Sequence, residues 1–102
     1  MKWHKVILEN ELELDELVGI TVDSKKYVVY HIKSGFYATD GECSHEHASF
    51  VDAYVADDYV ECPKHNGRFH IPTGKALRRP ACIDLNVYPV KIEGNYLMIG
   101  LE

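Results

Sequence analysis

Residues 43–65 read CSHEHASFVDAYVADDYVECPKH and hold two pairs of metal-binding side chains. Cys43 and His45 form a C-x-H pair, and Cys62 and His65 form a C-x-x-H pair, with sixteen residues between the two pairs. Two thiolates and two imidazoles that arrive on two loops can close a four-ligand metal site. A short run typical of a β-strand precedes each pair, so we expect the two loops to converge from the ends of neighbouring strands.

Two kinds of metal centre are compatible with two cysteines and two histidines. One is a structural zinc site, but zinc-finger ligands usually come as like pairs, C-x₂₋₄-C followed by H-x₃₋₅-H. The other is a [2Fe–2S] cluster in which two cysteines hold one iron and two histidines hold the other. Because each loop of this chain supplies one cysteine and one histidine, each loop can reach across both irons. The mixed pairs therefore favour the cluster.

The wider sequence resembles the small Rieske-type ferredoxins of bacterial multicomponent oxygenases. The likeness runs from about residue 3 to residue 101 and is strongest in the segments CSHEHASF and VECPKHNGRFHIPTGKAL. The resemblance implies one Rieske-type [2Fe–2S] cluster. It also implies that Cys43 and Cys62 bind the inner iron, and that His45 and His65 bind the outer iron near the protein surface.

Departures from the respiratory branch of that family indicate the ferredoxin branch. Respiratory Rieske proteins carry two further cysteines that join the loops by a disulfide, whereas this chain has Ala48 and Lys64 at those places. Its third cysteine, Cys82, lies outside both loops and is expected to be a buried, dispensable side chain. The respiratory branch also has a serine two residues after its second histidine, where this chain has Gly67.

The pattern of the remaining sequence predicts an all-β protein. Short runs rich in Val, Ile, Tyr and Phe alternate with turn signals, as in a small sandwich or barrel. The predicted strands are 18–22, 27–32, 36–39, 59–61, 87–92 and 96–101, and the last two form a hairpin through Gly94 and Asn95. Residues 9–17 are expected to be irregular or to form one helical turn at 15–17. We expect a single domain over 1–102 with the Rieske-like fold, made of small antiparallel sheets and two cluster-binding loops.

Four other residues near the motif are interpreted without a ligand role. His47 would form H-x-H with His45, but a third ligand in this loop would displace a member of the motif, so it is expected to be an exposed loop residue. His70 is expected to pack or to form hydrogen bonds. Pro80 and Ala81 resemble the proline-containing loop that shields the cluster in this family, although an ordinary turn is nearly as good an interpretation.

The charge is distributed unevenly along the chain. The net charge is −5 and the isoelectric point is near 5.6, which disfavours a general nucleic-acid binder. The basic segment, residues 64–79, contains no acid and five of the eleven basic residues, namely Lys64, Arg68, Lys75, Arg78 and Arg79. We interpret the basic segment as a docking collar around the outer histidines, which would speed short encounters with acidic partner surfaces. The alternative is a solvated loop.

The resemblance implies a one-electron carrier that is not an enzyme by itself. Its expected partners are an NAD(P)H-dependent flavoprotein reductase and a terminal oxygenase, in particular one that hydroxylates aromatic rings. The chain is not expected to be a terminal oxygenase itself, because 102 residues leave no room for a catalytic domain. Two alternatives stay open, a Rieske-like small subunit of a nitrite reductase and a zinc-stabilised interaction module. No secretory signal or apolar run of membrane length is present, so we expect a cytoplasmic protein that binds no membrane. We also expect a monomer.

Overall fold

The computed structural model describes residues 1–42, 49–62, 67–78 and 84–102, with the backbone alone for residues 51 and 78. In these ranges the chain forms eleven strands and two short 3-10 turns, which confirms the all-β prediction. The strands are β1 Lys2–Leu8, β2 Glu16–Val22, β3 Lys25–Ile32, β4 Gly35–Asp40, β5 Tyr54–Ala56, β6 Tyr59–Glu61, β7 Arg68–His70, β8 Ala76–Arg78, β9 Val87–Tyr88, β10 Val90–Glu93 and β11 Tyr96–Leu101. The described part of the chain contains no helix that is long and apolar enough to span a membrane.

The strands form three small antiparallel sheets. A terminal sheet has the order β1-β11-β10, a central sheet has the order β2-β3-β4-β9, and a small sheet has the order β5-β6-β7-β8. The terminal sheet joins the two ends of the chain, because Lys2 lies opposite Leu101. The small sheet contains the strands that precede and follow the second predicted loop.

Strand β3 separates two hydrophobic cores. Its side chains alternate between the two faces of the central sheet, as they do in any strand. Val28 and Tyr30 pack into the core beside the small sheet, together with Phe50 and Phe69. Val29 packs into the opposite core, which the terminal sheet covers. The central sheet is therefore buried on both faces and holds the small sheet in a fixed position.

Two-residue hairpin turns are made by residues with positive φ. Asp23 and Ser24 join β2 to β3 with φ of 50° and 67°, and Gly94 and Asn95 join β10 to β11 with φ of 58° and 71°. Positive φ at both central residues is typical of the type I′ turn, whose twist matches that of the paired strands. The predicted hairpin through Gly94 and Asn95 is confirmed.

Two predictions for local structure are wrong. Residues 87–92 are not one strand, because the chain changes sheets at Pro89: β9 pairs with β4, and β10 pairs with β11. Proline has no N–H to donate, so the hydrogen-bond ladder of a sheet cannot continue through Pro89. The single turn in 9–17 lies at Glu9–Glu11 rather than at 15–17. Asp15 has a φ of 64°, which right-handed helix does not allow, and β2 begins directly after it.

Candidate metal centre

One of the four predicted ligands lies in the described part of the chain. Cys62 follows β6 directly, is 1% exposed and forms no disulfide. Cys43, His45 and His65 lie outside the described residues, as do the other residues discussed for the loops: His47, Ala48, Lys64, Arg79, Pro80, Ala81 and Cys82. The structure describes how the ends of the segments that carry them are held.

The ends of the first loop, 43–48, are tied together by backbone hydrogen bonds. The N–H of Phe50 donates to the carbonyl of Gly41 at 3.0 Å, and Glu42 pairs with Ser49 in an isolated bridge. The N–H of Gly41 donates to the carbonyl of Lys26 at 2.9 Å, which fixes this base on the central sheet. A Cβ atom at Gly41 would lie 2.8 Å from the backbone of Lys26, so this approach requires glycine.

The second loop, 63–66, spans the end of the β6–β7 hairpin. The N–H of Cys62 donates to the carbonyl of Gly67 at 2.7 Å, and the preceding pair is Glu61 opposite Arg68. Cys62 belongs to the same core as Phe50, whose N–H closes the base of the first loop. The structure therefore places the base of the first loop and the residue that precedes the second loop in one hydrophobic core, as convergence on one centre requires.

The third segment outside the described residues, 79–83, is also tied at its base. The N–H of Leu85 donates to the carbonyl of Gly74 at 2.7 Å, and the N–H of Ala76 donates to Asp84 Oδ1 at 2.8 Å. Gly74 has a φ of 75°, and a Cβ atom at this position would overlap the carbonyl oxygen of Leu85. This contact joins the chain that follows the third segment to the turn between β7 and β8.

An acidic side chain links the approach to the first loop with the chain beyond the third segment. Asp40, at the end of β4, accepts a 2.5 Å hydrogen bond from the hydroxyl of Tyr88 and a 3.1 Å hydrogen bond from the N–H of Asn86. The ammonium of Lys25 lies 3.6 Å from the same carboxylate and donates to the Tyr88 hydroxyl. Partial burial is the main cause that raises the pKa of Tyr88, so this hydroxyl stays protonated as a donor to Asp40.

The basic segment is not uniformly free to meet a partner. Arg68 donates from Nε to Glu61 Oε1 at 2.8 Å, and its guanidinium carbon lies 4.6 Å from the centre of the Tyr59 ring. The hydrogen bond to Glu61 raises the pKa of Arg68. Lys75 is exposed. Arg68 therefore forms a local ion pair with Glu61, and its part in a docking collar stays a prediction.

Two histidines that are not predicted ligands have defined partners. His70 contacts Thr73 through Nδ1 at 2.8 Å and Asp58 through Nε2 at 3.1 Å, so its predicted hydrogen-bonding role is confirmed. The sequence assigned no role to His31. Its Nδ1 donates to the carbonyl of Leu12 at 2.8 Å, and its ring stacks on Phe36 at 4.2 Å. The hydrogen bond holds the segment 9–17 against the central sheet. It joins residues far apart in sequence, so no local pattern signals it.

The chemistry of the described residues fits a cluster cysteine at position 62. Its thiol is buried in an apolar core, and its backbone N–H is already satisfied. Thiolates are the ligands of iron–sulfur clusters, and an apolar shell limits access of solvent to the centre.

Comparison with known proteins identifies the family. Residues 2–89 match the model of the Rieske [2Fe-2S] domain. The ferredoxin component of the naphthalene 1,2-dioxygenase system of Pseudomonas putida is 38% identical over 102 residues, which is 100% of this chain and 98% of the relative. The family match identifies the metal centre as a Rieske [2Fe–2S] cluster, so the alternative of a zinc-stabilised interaction module is rejected.

Solved structures share the fold. A chain in the complex of reduced oxygenase and oxidized ferredoxin in carbazole 1,9a-dioxygenase is 28% identical, with a TM-score of 0.91 over 98% of this chain and 97% of that chain. A candidate small subunit of an NADH-dependent nitrite reductase from Mycobacterium tuberculosis has a TM-score of 0.83 over 96% of this chain and 93% of that chain. It is only 17% identical, and so it shows the fold alone. Together with the family match, these findings show that the chain belongs to the Rieske [2Fe–2S] domain family, as a ferredoxin that carries one such cluster and transfers electrons rather than catalysing a reaction itself.

Proposed function

We propose that this ferredoxin carries single electrons from an NAD(P)H-dependent flavoprotein reductase to a terminal oxygenase that hydroxylates aromatic rings. The observation that carries the proposal is the 38% identity, over 100% of this chain, with the ferredoxin component of a naphthalene dioxygenase system. The similar ferredoxin chain in the carbazole dioxygenase complex supports an oxygenase as the acceptor. When bound, the cluster supplies the one-electron couple.

The proposed ligands are Cys43 and Cys62 for the inner iron and His45 and His65 for the outer iron. Their spacing supports this set, as does the burial of Cys62 beside the base of the first loop. As ligands of the outer iron, His45 and His65 would give the electron a short exit to a partner.

The tied bases of the loops suit a carrier. Reduction adds one negative charge at the centre, and a frame that rearranges little on reduction makes transfer fast in both directions. Backbone hydrogen bonds close each loop at its base, from Phe50 to Gly41 and from Cys62 to Gly67. We further propose that the protein works as a cytoplasmic monomer, because NAD(P)H supplies the reductase there and a carrier that alternates between partners must keep its docking face free.

Substitution of the proposed ligands tests the site. His45→Ala and His65→Ala are expected to lose the cluster or to change its visible spectrum strongly, because each removes a nitrogen ligand from the outer iron. His47→Ala and Cys82→Ser are the matched controls and are expected to keep the iron content and the spectrum. The measurements are iron analysis and visible absorption of the purified proteins. Bleaching of His47→Ala together with an intact His65→Ala would contradict the proposed ligands.

Reconstitution tests the function. The purified chain is combined with the reductase and the oxygenase of a naphthalene dioxygenase system, and oxidation of naphthalene is followed with NADH or NADPH. Turnover is expected to require this chain and to disappear with the Cys62→Ala variant. Gel filtration with the catalytic subunit of a nitrite reductase tests the alternative. A stable complex with that subunit, together with no oxidation of naphthalene in the reconstituted system, would favour the nitrite reductase alternative.

The reduction potential is expected near the low end of the Rieske range, which spans roughly −150 to +300 mV. Hydrogen bonds to the cluster sulfurs stabilise the added negative charge and raise the potential, and Gly67 has no side chain to donate one. In the structure the Gly67 carbonyl accepts the N–H of Cys62. Protein-film voltammetry near neutral pH measures the potential, and a midpoint above about +100 mV, in the upper half of that range, would contradict the assignment to an oxygenase system.

A further inference from the structure

The side chain of Arg68 makes two contacts on the outer face of the β6–β7 hairpin. Its Nε donates to Glu61 Oε1 at 2.8 Å, and its guanidinium carbon lies 4.6 Å from the centre of the Tyr59 ring. The Glu61 side chain is only 19% exposed and that of Arg68 is 37% exposed, so both are partly withdrawn from water. These three residues, Tyr59, Glu61 and Arg68, are called the clasp below.

The clasp lies directly before the second loop. Glu61 and Arg68 are the last pair of the β6–β7 ladder, and the next connection is the hydrogen bond from the Cys62 N–H to the Gly67 carbonyl. The ladder itself has only three residue pairs. With only three pairs, the register of this pairing depends strongly on cross-strand side-chain contacts.

We infer that Arg68 is a positioning residue for the cluster: through Glu61 and Tyr59 it holds the second loop in the register that presents Cys62 and His65 to the irons. This inference rests on the ligands proposed above. Arg68 touches none of them in the described part of the chain, and it acts through the hairpin.

Arginine is suited to this position in a way that lysine is not. The planar guanidinium lies over an aromatic ring while one edge donates to a carboxylate, whereas an ammonium is a point charge on a flexible stem. Arg68→Lys keeps the positive charge and is expected to hold the second loop less firmly than arginine does but more firmly than an uncharged side chain. Arg68→Leu removes both contacts and keeps apolar volume above the Tyr59 ring.

The chain offers a matched control on the terminal sheet. Lys91 also combines an acid and an aromatic ring, because its Nζ lies 2.9 Å from Glu93 Oε2 and 4.5 Å from the centre of the Trp3 ring. Lys91→Leu removes a similar cation from a strand that does not lead into either loop. Lys75→Leu is a second control, since it removes an exposed positive charge from the basic segment and leaves the clasp intact.

The test measures how the loaded protein holds iron and what the reduced cluster looks like. Release of iron to an excess of chelator is followed by visible absorption, and the reduced proteins are compared by electron paramagnetic resonance. Arg68→Leu is expected to release iron about tenfold faster than the parent protein, at the low end of the effects seen for groups that orient metal ligands. Its resonance is expected to broaden or shift, whereas Lys91→Leu and Lys75→Leu keep the parent rate and the parent spectrum.

A charge exchange gives the sharper result. The double variant Glu61→Arg with Arg68→Glu restores the ion pair across the same two strands, and it is expected to release iron more slowly than Arg68→Leu does. If Arg68→Leu does not fold, Arg68→Lys is measured in its place and is expected to release iron faster than the parent protein. Parent-like iron release and resonance in the folded Arg68 variant, or the same changes in Lys91→Leu, would overturn the inference. Retention of the cluster by His65→Ala would instead count against the proposed ligands, so the two failures are distinguishable.

Discussion

At the scale of single residues, a buried hydroxyl pair joins two strands of the central sheet. The hydroxyl of Thr39 donates to the carbonyl of Asp40 at 2.8 Å, so the hydroxyl of Tyr30 donates to Thr39 Oγ1 at 2.7 Å. Both side chains are fully buried. Burial raises the pKa of Tyr30 above its ordinary value, because the phenolate would have no water around it.

The fold is expected to lose stability at high pH through Tyr30. Above about pH 10 the unfolded state releases the tyrosine proton while the native state keeps it, so the free energy of unfolding falls by up to about 1.4 kcal/mol per pH unit. Tyr30→Phe is expected to remove this component, while it costs about 1 kcal/mol near neutral pH through the lost hydrogen bond. Urea unfolding of both proteins between pH 8 and 11 measures the difference, and parallel pH profiles would contradict the assignment.

Residue roles could be predicted from the sequence only where the partners are close along the chain. The two proposed metal-binding pairs are visible in the sequence because the members of each pair lie within four residues. The contact between Arg68 and Glu61 was not predicted, since it depends on the register of β6 and β7. The bond from His31 to the Leu12 carbonyl was missed for the same reason, because it joins residues nineteen apart.

At the scale of elements, two glycines with positive φ differ in what surrounds them. Gly94, in the last hairpin turn, has open space where a Cβ would be, whereas Gly74 faces the carbonyl of Leu85. Gly94→Ala is expected to cost about 1 kcal/mol, the strain of left-handed backbone. Gly74→Ala adds a clash with backbone that is tied by a hydrogen bond, so a cost of about 3 kcal/mol or more is expected. Thermal unfolding compares the stability of the two variants. Equal losses of stability would mean that the backbone of residues 84–86 moves to accommodate the added methyl group.

Strand existence was easier to predict than strand limits. The apolar runs at β3 and β11 are buried and were found, and the turn at Gly94 was found from its residues. The run 87–92 was read as one strand because its apolar content is continuous, but Pro89 divides it between two sheets. Strands β5, β7 and β8 were not predicted, because three residues are too few to show a clear period. Strand β6 has the same length and was predicted only because Tyr59 and Val60 are typical strand residues. Strand β1 was missed because its polar residues mask the alternation.

At the scale of the whole molecule, charge separates the basic segment from the rest of the chain. The basic segment carries +5 within a chain of net charge −5, so the remainder carries −10. Among those of its basic side chains that the structure describes, Arg68 is paired with Glu61 and Lys75 is exposed. We propose that this distribution orients the molecule toward an acidic partner during encounter.

Reversal of charge in the basic segment is expected to slow electron transfer. The double variant Arg78→Glu with Arg79→Glu is expected to lower the transfer rate to the oxygenase at low salt and to leave the reduction potential nearly unchanged. The difference is expected to shrink near physiological ionic strength, where exposed charges are screened within about 8 Å. Lys2→Glu with Lys5→Glu, on β1, is the control. Stopped-flow measurement of the transfer rate at several salt concentrations tests this expectation. Equal rates in both double variants would favour the alternative that the basic segment is a solvated loop.

The pairing of β1 with β11 also sets an order on biosynthesis. A ribosome delivers the chain from its N-terminus, so Phe50, Cys62 and Phe69 are available before β11 exists. Strand β11 supplies Leu97, Ile99 and Leu101, which cover one face of the central sheet. During synthesis the half that carries Cys62 is therefore present first, and nascent chains keep one apolar face of the central sheet bare until the final strand emerges.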